Sequence, residues 1–151
     1  MASTAAGTTV RPLGAGDWDG WKPLWDGYLR FYRAQLDDSI TEVTFRRLCE
    51  RSDGLQGFLA VDDGGAALGL AHIVIHPSTW TDRSYCYLED LFVDRRARGG
   101  SAAADLIAAV YEAADAAGAA RVYWHTQEYN GAARSLYDQV GHRTSFVVYE
   151  R

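Results

Sequence analysis

The sequence predicts a single α/β domain in which helices cover both faces of a mixed central sheet, in the order β-α-α-β-β-β-α-β-α-β. Three observations carry this. Trp21, Trp25, Tyr28 and Tyr32 recur at steps of four, three and four, the period of a helix. Three runs rich in Leu, Ile, Val and Tyr then follow between residues 57 and 93, each bounded by turn signals. Finally, an apolar run gives way at Arg98-Gly99-Gly100-Ser101 to an alanine-rich helix and then another short strand. That strand–loop–helix–strand unit, over 85–126, is where open α/β sheets bind ligands.

The elements follow in order. Residues 1–7 are small and polar and are expected to be flexible, leaving 8–151 as the domain. Thr8 to Leu13 reads as a short strand. Asp17 is a plausible N-cap for a helix reaching about Leu36, with a kink at Pro23. A second helix fits Thr41 to about Arg51, capped by Thr41 or Ser39. Gly57 to Val61 and Ala67 to His76 flank the hairpin signal Asp62-Asp63-Gly64-Gly65. Arg83 to Val93 is the third strand. Regular alternation puts Tyr85, Tyr87, Glu89, Leu91 and Val93 on one face and Cys86, Leu88, Asp90 and Phe92 on the other. A helix from Ser101 to about Ala117 carries the stripe Leu106, Ile107, Val110, Tyr111 and Ala114, and Gly118 stops it. Arg121 to Thr126 is a strand, Asn130 to about Val140 a helix, and Arg143 to Glu150 a closing strand.

Composition narrows the function. The net charge of −5 argues against nucleic acid, whose binders concentrate positive charge, and it suits a cationic partner. No apolar run approaches the roughly 20 residues of a membrane span, and the N-terminus lacks a signal peptide's apolar stretch, so the cytoplasm is the expected compartment. Cys49 and Cys86 form neither a disulfide framework nor a metal spacing, and no metal is expected.

The glycine loop has a physical reading of its own. A helix N-terminus carries free N–H groups and about half a positive charge, so it binds phosphate readily. Gly99 and Gly100 let the backbone approach an anion, and Arg95, Arg96 and Arg98 add charge. Ala102, Ala103 and Ala104 keep the first turn thin. The stretch suits a diphosphate lying on the helix start, against the plainer alternative of a turn with solvated arginines. It is neither a P-loop, since Gly-Lys-Ser/Thr is missing, nor a Gly-x-Gly-x-x-Gly fingerprint.

The segments "LEDLFVDRRARGGSAAADLI" and "HTQEYNGAARSLYDQVGHRTSFVVYER" resemble the GNAT superfamily of acetyl-CoA-dependent N-acetyltransferases, closest to its polyamine and histone-type branch. In that family the loop reads Arg-Gly-x-Gly-x-Gly/Ala. Arg98 and Gly99 match, Gly100 takes the variable position, Ser101 replaces a glycine and Ala103 meets the small-residue requirement. The resemblance implies acetyl-CoA as donor. It also implies that the backbone of Leu91, Phe92 and Val93 pairs with pantetheine, and that Asn130 and Ala133 contact the cofactor arm. A plain N-cap is the alternative for Asn130.

Attack of an amine on a thioester needs a proton removed from an ammonium of pKa about 10.4, a fixed donor for the oxyanion, and a proton for the departing thiolate. Tyr137 falls where many members of the family keep a tyrosine beside the cofactor sulfur, and it is the candidate general acid. Glu89, in the "LED" where polyamine-type relatives hold a glutamate acting through water, is the candidate base or substrate anchor. Asp90 is a substrate-binding candidate, although regular alternation lets only one of this pair reach the site. Trp25, Tyr28 and Tyr32 are candidates to flank a cationic amine, against the alternative of plain core residues. His72, His125 and Glu128 are secondary candidates. The short tail after Gly141 leads us to expect a homodimer that pairs or exchanges the last strand, as relatives with such tails often do. A non-catalytic acyl-CoA sensor of the same fold is the competing expectation.

Overall fold

The computed structural model describes residues 7–151; the flexible segment expected at residues 1–7 lies, apart from Gly7, outside the described residues. Five strands form one sheet in sequence order: β1 (Thr9–Pro12), β2 (Leu55–Val61), β3 (Ala67–Pro77), β4 (Ser84–Val93) and β5 (Arg121–Tyr123). The first four pair antiparallel and β5 runs parallel to β4. Helices α1 (Trp18–Phe31) and α2 (Asp38–Glu50) pack on one face, and α3 (Ala102–Ala116) and α4 (Gly131–Val140) on the other.

Burial explains both faces. Towards α1 and α2, Trp21, Leu24 and Trp25 lock against Leu13, Leu48, Leu59 and Leu70. The rings of Trp21, Trp25 and Tyr28 form a continuous stack, with centroids 5.6 and 5.5 Å apart and planes within 15°. Towards α3, Leu106, Ile107, Val110 and Ala114 meet Phe58, Ala60, Ala71, Ile73, Cys86 and Leu88. The helical stripe anticipated on α3 is thus the one that is buried.

Four local details differ from expectation. Helix α1 ends five residues before Leu36 and runs unbroken through Pro23. Arg33 adopts φ 53°, Ala34 N–H bonds the Leu29 carbonyl and Arg33 N–H bonds the Arg30 carbonyl. This is a Schellman ending built without the usual glycine. Helix α2 begins at Asp38 behind Asp37, so neither Thr41 nor Ser39 caps it. Buried Thr41 instead accepts the Trp25 indole N–H at 3.3 Å.

The third difference lies in β4. His72 pairs with Asp90 but its neighbour Ile73 pairs with Leu88, which leaves Glu89 as an extra residue in a β-bulge. Alternation therefore resets at Glu89. Cys86 and Leu88 share the α3 face with Leu91 and Val93, whereas Phe92 packs towards α1, correcting the uninterrupted two-face pattern. The fourth is the expected closing strand. Residues 141–151 carry no strand, and Phe146 to Tyr149 are exposed, Tyr149 at 91%. A strand needs a pairing edge, and nothing among the described residues pairs it.

Two left-handed glycines test the backbone account. Gly65 (φ 84°) closes the β2–β3 hairpin, where Asp62 Oδ1 accepts the N–H groups of Gly64 and Ala66, and a Cβ there meets open space. Gly54 (φ 80°) would drive a Cβ onto the Ile75 carbonyl oxygen. Gly65→Ala is expected to cost about 1 kcal/mol, the left-handed penalty alone. Gly54→Ala should cost at least about 2 kcal/mol, because the backbone must also move. Urea midpoints measure both, and equal losses would contradict this reading of Gly54.

Candidate active site

β5 pairs β4 only from Tyr85 to Tyr87, opposite Arg121 to Tyr123. Beyond Tyr87 the two strands part, and β4 from Leu88 to Val93 has no partner on that side among the described residues. A slot opens at the parting. Tyr28, Tyr32 and Glu89 line it, as do Leu88, Leu91, Trp124 and Tyr137, and His125 and Thr126 complete it. Leu88, Leu91, Trp124 and Tyr137 belong to the cluster beneath α3 and α4, and Tyr28 to the one beneath α1. The slot is therefore lined from both faces of the sheet.

The glycine loop lies at the end of the same strand. A 3-10 turn, Arg95–Ala97, leads to Gly99 at φ 88° and to Ser101, the N-cap of α3. The first intrahelical bond is given by Asp105 N–H to the Ser101 carbonyl, so the amides ahead of it point out of the helix unbound by it. Gly99 and Gly100 are exposed and no side chain crowds either. Ala102 is buried, and Ala103 and Ala104 are half-buried. These residues fit a diphosphate: they are small, glycine-rich and placed ahead of a helix start, with the Gly100 N–H already donated to the Ala97 carbonyl at 3.4 Å. The Ser101 hydroxyl is turned away into its own helix, donating to Asp105 at 2.7 Å, and makes no cap bond. Arg98 folds back over the Phe92 ring, 5.6 Å from its centroid, and its Nε–H donates to the Val93 carbonyl. A cavity of about 330 Å³ separates this loop from α1, lined by Arg30, Arg95 and Arg98 with Phe31 and Phe92.

Electrostatics distinguish the slot's side chains. Burial pushes the Tyr137 phenol up to about 12, with Tyr32 adding to it, so Tyr137 holds its proton at any working pH. Its ring packs edge-on against Trp124 at 5.5 Å. The Glu89 carboxyl is raised, first by desolvation between the cleft walls and then by the charge of Asp90. Solvent still reaches the side chain. Tyr28 is raised strongly, again by burial first and then by Asp90.

The bulge leaves Glu89 in the slot, whereas Asp90 does not line it: its side chain, 14% exposed, turns to His72 Nδ1 at 2.8 Å. Tyr28 and Tyr32 line the slot; Trp25 does not. At 6% exposure Trp25 sits in the core, stacked beneath Tyr28, because its step along the helix points at α2 rather than at the cleft. Asn130 is the residue before α4, but its side chain makes no cap bond and instead donates to Thr126 Oγ1 at 3.5 Å. Ala133 is half-buried in the first turn of α4. Among the secondary candidates, His125 lines the slot, exposed Glu128 does not, and His72 lies buried behind Asp90.

Sequence reasoning did not find Trp124, Thr126, Gly27 or Arg30. Gly27 carried a signal, a glycine in mid-helix, which often marks close approach. A Cβ there would stand 2.9 Å from Phe92 Cζ. Among the described residues no group of three His, Cys, Asp or Glu is placed to hold a metal, and no helix is long and apolar enough to cross a membrane.

A strand that opens away from its neighbour beside an anion cradle is the layout of an acyltransferase drawing on a phosphorylated thioester carrier. Known proteins narrow that class. The profile of the Acetyltransferase (GNAT) family matches residues 21–142. The D-amino-acid N-acetyltransferase HPA3 of Saccharomyces cerevisiae is 35% identical over 94% of this chain and 89% of its own length. The uncharacterized N-acetyltransferase YhfO of Bacillus subtilis is 30% identical over 84% and 85%. Among solved structures, the AAC(6')-Iy complex with a CoA bisubstrate analogue superposes with a TM-score of 0.81. It covers 96% of this chain and 97% of that one, at 22% identity, a likeness of fold. The chain belongs to the Acetyltransferase (GNAT) family and is an N-acetyltransferase whose acyl donor is acetyl-CoA.

The Glu89 shift has a sign that can be measured. In carboxyl-detected NMR, Glu89 should titrate above the ordinary glutamate value of about 4.3. Asp90→Asn removes a neighbouring negative charge, so the Glu89 pKa should fall. A Glu89 pKa unmoved by Asp90→Asn would contradict the coupling.

Proposed function

We propose that the enzyme acetylates a primary amine of a small molecule by direct attack within a ternary complex. The observation that carries this reading is the slot at the β4–β5 parting, which joins Tyr137 and Glu89 in one opening. Acetyl-CoA, when bound, supplies the activated acyl thioester. The amides of Gly99 and of Ser101 to Ala103, with Arg98, would hold its diphosphate. Leu91 to Val93 offer their free strand edge to the pantetheine arm, and Asn130 and Ala133 flank it at α4.

Tyr137 keeps its phenolic proton and would supply it to the departing sulfur of a bound thioester. Glu89, raised above an ordinary carboxylate, accepts the amine's proton directly or through water. Tyr28 and Tyr32 wall the acceptor side and attract a cation, each worth about 1 kcal/mol. Asp90 adds a second negative charge for that cation.

D-amino acids lead the list of acceptors, because the yeast relative bears that activity in its name. Polyamines and lysine side chains, the acceptors of the branch that the motifs resemble, come next. The free thiols of Cys49 and Cys86 support a reducing compartment, the cytoplasm. The outer edge of β5 and the exposed run Phe146 to Tyr149 support a homodimer in which each tail pairs with its partner's sheet.

Thiol release and mass spectrometry over a panel of D-amino acids, polyamines and lysine peptides test the chemistry. We expect an acetyl-CoA-dependent gain of one acetyl group on at least one amine. Tyr137→Phe and Glu89→Gln should each lower kcat by about 10²-fold while calorimetry shows CoA binding intact. Full turnover in both variants would remove these roles. Sedimentation at micromolar concentration should show a dimer, reduced to monomer when the chain is cut after His142; a monomeric full-length protein contradicts the tail exchange.

A further inference from the structure

One histidine stands out among the residues that the chemistry above does not use. His72, on β3, is 3% exposed and lies opposite Asp90 in the register of β3 and β4. Its Nε2 accepts the indole N–H of Trp21 at 3.0 Å, and its Nδ1 lies 2.8 Å from Asp90 Oδ2. An indole nitrogen can only donate, so Nε2 carries no proton and Nδ1–H must be the donor to Asp90. The ring is held between Trp21 and Trp25, with centroids at 5.9 and 5.3 Å. Neither its tautomer nor its orientation is free.

Asp90 is thereby gripped from the core side, while the Tyr28 hydroxyl donates to the carbonyl of the neighbouring Glu89 at 3.5 Å. Its side chain is 14% exposed and adjoins Glu89. Among the described residues, no arginine or lysine forms an ion pair with Asp90 or Glu89. Asp90 raises the neighbouring Glu89 carboxyl, so the two carboxylates repel each other, a repulsion that a bound cation would relieve.

We propose that His72 is a positioning residue for the acceptor: its Nδ1–H locks the Asp90 carboxylate so that the remaining oxygen lone pairs receive the ammonium of a cationic amine substrate. The inference rests on the amine-acetylation reading above and adds the element that orients the amine. A carboxylate on a bulged strand with one free torsion would lose that direction. The Trp21–His72–Asp90 chain ties it to the most deeply buried part of α1. The bulge makes this possible, because it turns Asp90 towards His72 while leaving its neighbour Glu89 in the opening.

The test separates this inference from the reaction itself. Long-range ¹H–¹⁵N spectra of the wild-type protein should show His72 as the Nδ1–H tautomer; an Nε2–H tautomer overturns the proposal. Spermidine, as a cationic amine probe, should shift the His72 Nδ1–H resonance in the wild type and leave it unmoved in Asp90→Asn. No shift with millimolar spermidine counts against it, whether or not any acceptor turns over. A shift without turnover instead sinks the acetylation reading alone. In kinetics, His72→Asn places an amide N–H where Nδ1 stands, whereas the longer His72→Gln carries its amide to the Nε2 end, where its oxygen can accept from Trp21, and leaves no donor at the Nδ1 position. His72→Gln should raise the acceptor KM by about tenfold or more, the worth of a hydrogen bond to a charged group. His72→Asn should stay near wild type, and KM for acetyl-CoA should hold in both. Equal effects of the two substitutions, or a parallel rise in KM for acetyl-CoA, assign His72 to fold maintenance only.

Discussion

β4 holds one residue more than β3 can pair, and it outlives its pairing with β5. Both constraints act within three residues, Tyr87 to Glu89. The parting frees an edge of β4 beside the outermost strand, which is costly unless a ligand or water satisfies it. The bulge at Glu89 resets which side chains face which helix layer. Every feature of the site follows from these two breaks. The slot exists because β5 leaves, Glu89 lies in it while Asp90 turns to His72 because of the extra residue, and Leu91 and Val93 turn beneath α3 just before the glycine loop.

Such a break is tolerated because its surroundings are rigid. On one side the stacked rings of Trp21, Trp25 and Tyr28 fix α1 against the sheet, with the Trp21 and Trp25 indoles each bonded to a buried partner. On the other, Leu106, Ile107 and Val110 clamp α3 beneath β3 and β4. The anion cradle and the slot thus lie at the two ends of one short, well-supported stretch, residues 88–101. Desolvation here keeps the Tyr137 phenol protonated and raises the Glu89 carboxyl, as the roles proposed for them require.

Much of this was legible from periodicity. Tyr137 is singled out by the resemblance to a known family, whereas the α3 stripe, the hairpin at Asp62 to Gly65 and the glycine loop follow local rules, so their residues announce them. Three features did not, each because its cause is not local. The end of α1 at Arg33 uses a left-handed residue that is not glycine, leaving no composition signal. The bulge is a mismatch between two strands, and neither strand displays it alone. Residues 143–150 have strand-like composition, but composition cannot supply a pairing edge, and those side chains lie exposed. Trp25 illustrates the same limit. Helical spacing placed it on the right stripe, yet only the neighbouring helix decides that Trp25 is covered while Tyr28 reaches the cleft.

Hydrogen–deuterium exchange with and without coenzyme A tests the core of this account most directly, because it reads the main-chain amides on which the account depends. Peptides spanning 91–93 and 99–103 should slow on addition of the ligand, with little change in β1 and β2. Protection confined to other parts of the chain, with those two segments exchanging as before, would contradict it.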